Sequence, residues 1–394
     1  MKYILTTLVL IIAFCHSNAQ QNTTEIMPGA YQMDKYLPLL KDKRVAVLIN
    51  QASVINNRVL VDTLTERGIK IVKIFVPEHG LRLTADAGAT VASSIDSTTG
   101  IPIVSLYGNN KKPTAKQLKD VDIVIYDLQD VGVRFYTYIS TLQYAMEACA
   151  ENDVPFFILD RPNPNGFYID GPVMKKEYMS FVGLQPIPVV YAMTPGEYAK
   201  MLVGEKWFDK ASKLDLTVIE CANYDHSKKY KLRYTPSPNL RSMPAIYMYP
   251  TLCLFEGTVV SVGRGSELPF QQWGHPDFYG HTAYNFTPKS GPGAKNPLHE
   301  NRVCYGQLAA LTTDEAFLVT KNKLRLNLLF KAYDWYPYKE KFFNDYFEKL
   351  VGNGELKTQI ISGMKEDDIR ATWKADIDNF KLIRKKYLIY KDFE

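Results

Sequence analysis

The sequence lacks the features that mark nucleic-acid-binding and membrane-spanning proteins. Its 394 residues include 47 lysines and arginines against 42 acidic residues, a net charge of +5, and no run of five or six basic residues. No apolar run after residue 20 approaches the roughly 18 residues that a transmembrane helix needs. We therefore expect no nucleic-acid partner and no membrane span in the mature chain.

Cysteine is scarce as well, and its spacing supports no metal or redox motif. Cys149, Cys221, Cys253 and Cys304 form no C-x-x-C pair, which argues against a zinc knuckle and a thioredoxin-like site. With 46% hydrophobic residues, a chain of this length can fold without disulfide bonds. We predict that these four cysteines are free, buried thiols.

The N-terminus has the pattern of a secretory signal peptide. Lys2 precedes the apolar stretch Ile4–Phe14, and Ser17-Asn18-Ala19 provides the small residues of a cleavage site. The stretch is too short to cross a bilayer. Residues 1–19 are therefore predicted to be removed near Ala19, and the mature protein is expected to be periplasmic or secreted.

From about residue 30, apolar runs alternate with segments of helical periodicity. The runs are Arg44–Asn50, Ile69–Val76, Ile101–Leu106, Asp122–Tyr126, Val154–Leu159 and Leu216–Glu220. Strands that are apolar throughout and separated by helices are typical of a parallel sheet covered on both faces. The pattern predicts an α/β fold, with a Rossmann-like domain over residues 20–220.

The pattern changes after residue 220. Residues 222–300 are rich in proline, glycine and tyrosine and show few helical periods. Helical patterns return at Leu308–Val319, Phe342–Val351, Leu356–Ser362 and Glu366–Tyr387. We predict that residues 221–394 form a second, C-terminal α+β domain packed on the first.

Polar residues follow four of the predicted strands, and in an open parallel sheet ligands bind at the carboxyl ends of the strands. They comprise carboxylates, an imidazole, arginines and amides: Asn50, Glu78, His79, Arg82, Asp127, Gln129, Arg134, Asp160, Arg161 and Asn163. Any one of them could instead cap a helix or tie two loops together. Their convergence at one edge predicts a polar, carboxylate-bearing pocket.

Motifs for other chemistries are missing from the sequence. The nicotinamide fingerprint G-x-G-x-x-G, the P-loop and the nucleophile elbow G-x-S-x-G are absent. His275, Asp277 and His281 are too irregularly spaced to indicate a metal site. We therefore expect no cofactor and no metal. Carboxylate chemistry remains, because a glutamate beside an apolar strand end can have a raised pKa and act as a general acid, as glycoside cleavage requires.

A second polar segment lies in the C-terminal half. Glu256 stands in an otherwise apolar run, where an unpaired charge would be costly, and Arg264 follows eight residues later. Two interpretations stay open. The two residues form a buried ion pair, or both face a cleft between the domains.

Five motifs are specific when taken together. They are V-P-E-H-G-L-R at Val76–Arg82, D-L-Q-D-V-G-x-R-x-Y-T-Y at Asp127–Tyr138, D-R-P-N-P at Asp160–Pro164, L-F-E-G-T at Leu254–Thr258 and S-V-G-R-G at Ser261–Gly265. With them, essentially the whole mature chain resembles the exo-β-N-acetylmuramidase (NamZ-like) glycoside hydrolases, formerly a domain of unknown function. One departure is Leu83, where the family usually has glycine.

The resemblance implies a Rossmann-like catalytic domain joined to an auxiliary domain, with the active site in the cleft between them. It also implies release of N-acetylmuramic acid from the non-reducing end of peptidoglycan fragments, and it places the family's key glutamate at Glu78. We expect Glu78 to be the general acid and His79 to hydrogen-bond Glu78 or a sugar hydroxyl. Asp127, Asp160 and Glu256 are candidates for the second catalytic group, and attack by the substrate's own 2-acetamido oxygen is a further route.

Substrate recognition is expected to require a cation, because muramic acid carries a lactyl carboxylate. Arg82, Arg134, Arg161 and Arg264 are the candidates, and Tyr136, Tyr138 and Trp273 are candidates for stacking on sugar rings. The alternative function is that of a non-catalytic periplasmic protein that binds muropeptides or sugars. Turnover of a muraminide distinguishes the two hypotheses.

Overall fold

A computed structural model describes residues 25–78, 80–81 and 94–394. The predicted signal peptide and two predicted site residues, His79 and Arg82, lie outside the described residues. Within the described ranges the strands are β1 (Arg44–Ile49), β2 (Val54–Ile55), β3 (Arg58–Val59), β4 (Lys70–Val76), β5 (Ser94–Ile95), β6 (Pro102–Ser105), β7 (Ile123–Asp127), β8 (Phe156–Leu159), β9 (Leu216–Ile219), β10 (Gln272–His275), β11 (Asn285–Phe286) and β12 (Cys304–Leu308).

Helices separate most of the strands that pair in parallel, and they dominate the C-terminal third. They are α1 (Met33–Leu40), α2 (Leu60–Glu66), α3 (Ala115–Leu118), α4 (Tyr138–Glu151), α5 (Pro195–Gly204), α6 (Met243–Leu252), α7 (Thr313–Thr320), α8 (Leu326–Trp335), α9 (Phe347–Val351), α10 (Glu355–Ile361) and α11 (Glu366–Lys385). In the part of the chain that the structure describes, no helix has the length and apolar character needed to cross a membrane.

One seven-stranded sheet organises the N-terminal part. Its strand order is β5-β6-β4-β1-β7-β8-β9. Its neighbouring strands run parallel, except that the short edge strand β5 pairs antiparallel with β6. The six parallel strands follow the order of a Rossmann fold, in which the direction of winding reverses between β1 and β7. The predicted α/β, Rossmann-like fold is confirmed.

Both faces of this sheet are buried, as the continuous apolar runs predict. Alternate residues of β1 point to opposite faces. Val45, Val47 and Ile49 belong to one apolar cluster, whereas Ala46 and Leu48 belong to the other. The second cluster continues into the C-terminal part of the chain. The sheet and the C-terminal part therefore share a core.

The C-terminal part contains a small antiparallel sheet, β10-β12-β11, and helices α6 to α11. Helix α6 lies in a segment that was predicted to contain little helix. The sequence carries no signal for it, because its residues are apolar on all sides and show no amphipathic period. The predicted helix Leu308–Val319 is wrong at its start: Leu308 ends strand β12, and a capping box of Thr312 and Glu315 begins α7. Helix α8 was not predicted. The domain boundary at residue 220 remains a prediction.

The C-terminal residues pack against the N-terminal sheet. Tyr390 donates a hydrogen bond from its hydroxyl to Asp160 (2.7 Å), and the backbone N–H groups of Ile389 and Tyr390 donate to Glu197 (2.9 and 3.2 Å). Glu197 also contacts His226, and both of these side chains are fully buried. Residues more than 190 positions apart therefore complete one polar network.

The four cysteines within the described ranges are buried and free, as predicted.

Candidate active site

A cavity of about 280 Å³ lies where the carboxyl ends of the parallel strands face the C-terminal part of the chain. The N-terminal part contributes Glu78, Tyr107, Phe135, Tyr136, Thr137, Tyr138, Phe181 and Val182, and the C-terminal part contributes Ser237, Leu240, Tyr249, Glu256, Arg264, Phe270 and Tyr346. Aromatic rings and two carboxylates form its wall, with one arginine. This is the position at which parallel α/β sheets bind ligands.

Glu78 follows β4 and is contacted by hydroxyl groups from two other elements. The Thr137 hydroxyl donates a hydrogen bond to the Glu78 carboxylate at 3.4 Å. The Tyr107 hydroxyl, just beyond β6, is also hydrogen-bonded to Glu78, and burial together with the charge of Glu78 raises the pKa of Tyr107 to about 12. Glu78 is thus held at the cavity wall by neutral hydroxyl donors.

Helix α4 begins at the same cavity, so the positive end of its dipole lies there. The helix begins at Tyr138, directly after Thr137, and the first N–H groups of any helix have no acceptor within it. Tyr136 and Tyr138 both donate hydrogen bonds to the carbonyl of Pro236, at 2.9 and 3.2 Å. These two bonds connect the residues that precede and begin helix α4 to residue 236. The side-chain amide of Asn50 donates a further hydrogen bond to the Tyr138 hydroxyl, at 2.8 Å.

Glu256 and Arg264 line the same cavity as an ion pair, with 2.5 Å between Arg264 Nε and Glu256 Oε1. Each side chain is about a quarter exposed, at 24% and 25%, so the pair lines the cavity instead of being sealed in the core. The ion pair of the first interpretation is present, but it is only partly buried and faces the cavity, as the second interpretation expected. The Cys253 thiol contacts the other Glu256 oxygen at 3.4 Å, and the Arg264 guanidinium lies over the Phe270 ring, 4.9 Å from its centre.

The chain around Arg264 turns sharply. Gly263 has a φ of +77°, in the left-handed region that favours glycine. A Cβ atom on Gly263 would lie 2.8 Å from the Gln272 side chain and 2.9 Å from the Leu268 carbonyl oxygen. Glycine is needed here for both reasons, and the resulting turn presents Arg264 to the cavity.

The family models of the N-terminal and C-terminal domains of the exo-β-N-acetylmuramidase NamZ match residues 45–244 and 247–390. The chain belongs to this family. It is 39% identical to the peptidoglycan β-N-acetylmuramidase NamZ of Bacillus subtilis over 380 residues, 90% of this chain and 89% of that protein. The chain is accordingly a glycoside hydrolase, and the resemblance found in the sequence is confirmed.

Solved structures of two DUF1343 family proteins from Bacteroides fragilis have the same fold. One is 47% identical, with a TM-score of 0.85, and the other is 29% identical, with a TM-score of 0.76. Each comparison covers 93% of this chain and 99% of the other. The architecture described above is therefore that of experimentally determined relatives.

Several residues predicted for the site in this NamZ family chain lie behind the cavity wall instead of lining it. Asp127 and Arg161 form a buried two-bond ion pair, at 2.5 and 2.8 Å. Asp160 accepts hydrogen bonds from Thr194, Gly196 and Tyr390, and burial raises its pKa to about 6. These bonds give the three residues a role in holding loops. A direct catalytic or binding role for them stays a prediction.

The remaining predicted residues also bond to neighbouring loops. Gln129 donates to the carbonyls of Asp130 and Pro162, and Asn163 donates to the carbonyl of Met193. Arg134, fully buried, donates to four backbone carbonyls, and Trp273 packs within an aromatic cluster. Of the predicted site residues that the structure describes, the cavity brings together Glu78, Tyr136, Tyr138, Glu256 and Arg264.

Metal ligation finds no support within the described ranges, where no group of three or more histidine, cysteine or acidic side chains is arranged to hold a metal ion. His275 accepts a hydrogen bond from the Asp277 backbone, and burial lowers its pKa to about 4. His281 stacks on Trp335. His275 and His281 are thus engaged by neighbouring residues of the C-terminal part.

Sequence reasoning missed several cavity residues. Tyr107 and Thr137 were within reach: Tyr107 lies just past the third predicted strand, and Thr137 belongs to the D-L-Q-D motif segment. Phe181, Tyr249 and Tyr346 come from distant segments, and no local pattern distinguishes them from core aromatics.

Proposed function

We propose that this protein is an exo-acting hydrolase that releases N-acetylmuramic acid from the non-reducing end of peptidoglycan fragments. Glu78 acts as the general acid and donates a proton to the glycosidic oxygen as the bond from that oxygen to the anomeric carbon breaks. Water supplies the hydroxyl group of the released sugar.

The observation that carries this proposal is the position of Glu78. It lies at the carboxyl end of a central strand, in a cavity shared by both parts of the chain, with hydroxyl groups bonded to its carboxylate. A cavity of about 280 Å³ is near the lower limit of small-molecule sites, which start at about 300 Å³. That volume suits one sugar residue better than a long glycan, in keeping with the exo mode named for the family.

Glu78→Gln tests the general acid. The amide keeps the size and shape of the side chain but has no proton to donate, so we expect kcat on a chromogenic N-acetylmuraminide to fall by at least about 100-fold. Glu177→Gln, an exposed site far along the chain, is the matched control and should retain turnover. Near-normal kcat in a folded Glu78→Gln protein would exclude this role.

The exo mode and the substrate are tested on peptidoglycan fragments. Wild-type protein should release free N-acetylmuramic acid as the small product, with no internal oligosaccharides accumulating early. Tight binding of fragments without any turnover would instead support the alternative function of a muropeptide-binding protein.

Export is part of the same proposal, because the substrate is a wall polymer and residues 1–19 have the pattern of a signal peptide. N-terminal sequencing of the protein from its native cells should give a start near Gln20. A chain that keeps residues 1–19 would contradict cleavage.

A further inference from the structure

We propose that Arg264 recognises the lactyl carboxylate of the bound sugar and that Glu256 is a positioning residue for Arg264. This inference rests on the proposed function, since it concerns the group that distinguishes muramic acid from N-acetylglucosamine. It names the residue that sets sugar specificity.

The four candidate arginines differ in what their guanidinium groups already bind. Arg161 is paired with Asp127 in a buried two-bond contact, and the four hydrogen bonds of Arg134 go to backbone carbonyls. Arg82 lies outside the described residues. Among the described residues that line the cavity, Arg264 is the one cationic side chain.

Arg264 is bonded on one edge and open on the other. Its Nε atom donates to Glu256, and the ring of Phe270, itself 1% exposed, supports one face of the guanidinium. Within the described part of the chain, its two Nη atoms have no hydrogen-bond acceptor. A guanidinium fixed on one edge and free on the adjacent edge is suited to a two-bond contact with a carboxylate.

The contacts of Glu256 within the protein suit a residue that positions Arg264. One carboxylate oxygen accepts from Arg264 and the other from the Cys253 thiol, while its backbone carbonyl accepts from Asn344. Both oxygens are thus committed within the protein. The charge of Glu256 would repel an entering carboxylate, and the positive end of helix α4, which begins at the same cavity, opposes that repulsion.

Binding of two ligands that differ in the charge of the lactyl group tests the contact. N-acetylmuramic acid and its methyl ester have the same sugar, but the ester has no charge on the lactyl group. By calorimetry, wild-type protein should bind the free acid at least about 10-fold more tightly than the ester. Arg264→Gln should bind the two equally, and Arg302→Gln, an exposed control, should keep the preference.

Kinetics give the second measurement. Arg264→Gln should lower kcat/KM on a muraminide by about 30- to 100-fold and change kcat/KM on the matching glucosaminide by less than about threefold. Arg264→Lys keeps the charge but cannot make a two-bond contact with a carboxylate. It should therefore restore part of the preference for the muraminide over the glucosaminide. If folded Arg264→Gln protein still prefers the acid over the ester, the assignment is wrong.

Glu256→Gln distinguishes positioning from catalysis. As a positioning residue, its loss should raise KM for the muraminide several-fold and weaken the acid-over-ester preference, with kcat within about threefold of wild type. A collapse of kcat with unchanged binding would make Glu256 catalytic and overturn its assignment. Wild-type protein that neither binds N-acetylmuramic acid nor cleaves the muraminide would overturn the proposed function, and this inference with it.

Discussion

Asp130, in the loop after β7, is a buried carboxyl group with no countercharge bonded to it. The Tyr191 hydroxyl and the Gly132 N–H both donate to its Oδ2 atom, and its Oδ1 atom has no partner in the part of the chain described. Burial raises the pKa of Asp130 to about 6, against the opposing effect of the hydrogen bonds that its carboxyl group accepts. The native state therefore holds a proton that the unfolded chain releases near pH 4.

We predict that this carboxyl group makes stability depend on pH between about 4 and 6. Below pH 4 Asp130 is protonated in both states. As the pH rises through 6, the native group must ionise in a buried site. The stabilisation that the bound proton gave is then lost, and the free energy of unfolding falls by up to roughly 3 kcal/mol. Urea unfolding of wild type and Asp130→Asn from pH 4 to pH 7 should show the wild type losing stability relative to the variant. The exposed Asp209→Asn serves as control, and parallel curves for wild type and Asp130→Asn would contradict the prediction.

At the scale of elements, the turn around Gly263 joins stability to function, because the same backbone conformation that needs glycine presents Arg264 to the cavity. Gly263→Ala adds a Cβ atom in the left-handed region and against Gln272. We expect it to lower the free energy of unfolding by about 1–3 kcal/mol and to lower kcat/KM on the muraminide.

Gly291→Ala is the matched control for that change. No atom lies within 4 Å of the Cβ position at Gly291, and its φ is outside the left-handed region. The control should leave the urea midpoint within experimental error of wild type. Equal midpoints for both variants would show that the turn tolerates a side chain.

The elements also show what the sequence could predict. The central strands were found because each is apolar throughout and bounded by helices, and their carboxyl ends directed attention to Glu78. Asp127 and Arg161 also follow strand ends, yet they bond to each other. The sequence could not predict this, because local sequence does not record which long-range partner a side chain meets. Tyr346 reaches the cavity from a segment far along the chain, which no period of two or 3.6 residues reveals.

At the scale of the whole molecule, Arg134 connects the two parts of the chain. Its Nη1 atom donates to the carbonyls of Pro172 and Ile187, and Nη2 donates to those of Leu350 and Val351, at 2.6–2.9 Å. All four acceptors are neutral, and burial lowers the pKa of Arg134 to about 9. The guanidinium thus holds the C-terminal helices against the sheet domain through carbonyl groups alone.

Arg134→Met should therefore destabilise the whole protein. Removing the guanidinium leaves buried carbonyls without donors, and we expect a loss of about 3–5 kcal/mol in the free energy of unfolding. Arg58→Met, which removes an exposed ion pair with Glu66, should change it by less than about 1 kcal/mol. Chemical denaturation of the two variants is the measurement, and similar small losses would show that other contacts hold the parts together.

The network of Asp160, Glu197 and Tyr390 has a consequence for how the chain is made. Strand β8 leaves the ribosome long before residues 389–390, whose N–H and hydroxyl groups are partners of the buried carboxylates of Asp160 and Glu197. During synthesis those carboxylates stay without these partners, so the sheet domain cannot reach its final packing until translation has passed residue 390. The last residues of the chain to be synthesised therefore supply the final hydrogen bonds of a polar network that begins at the end of strand β8.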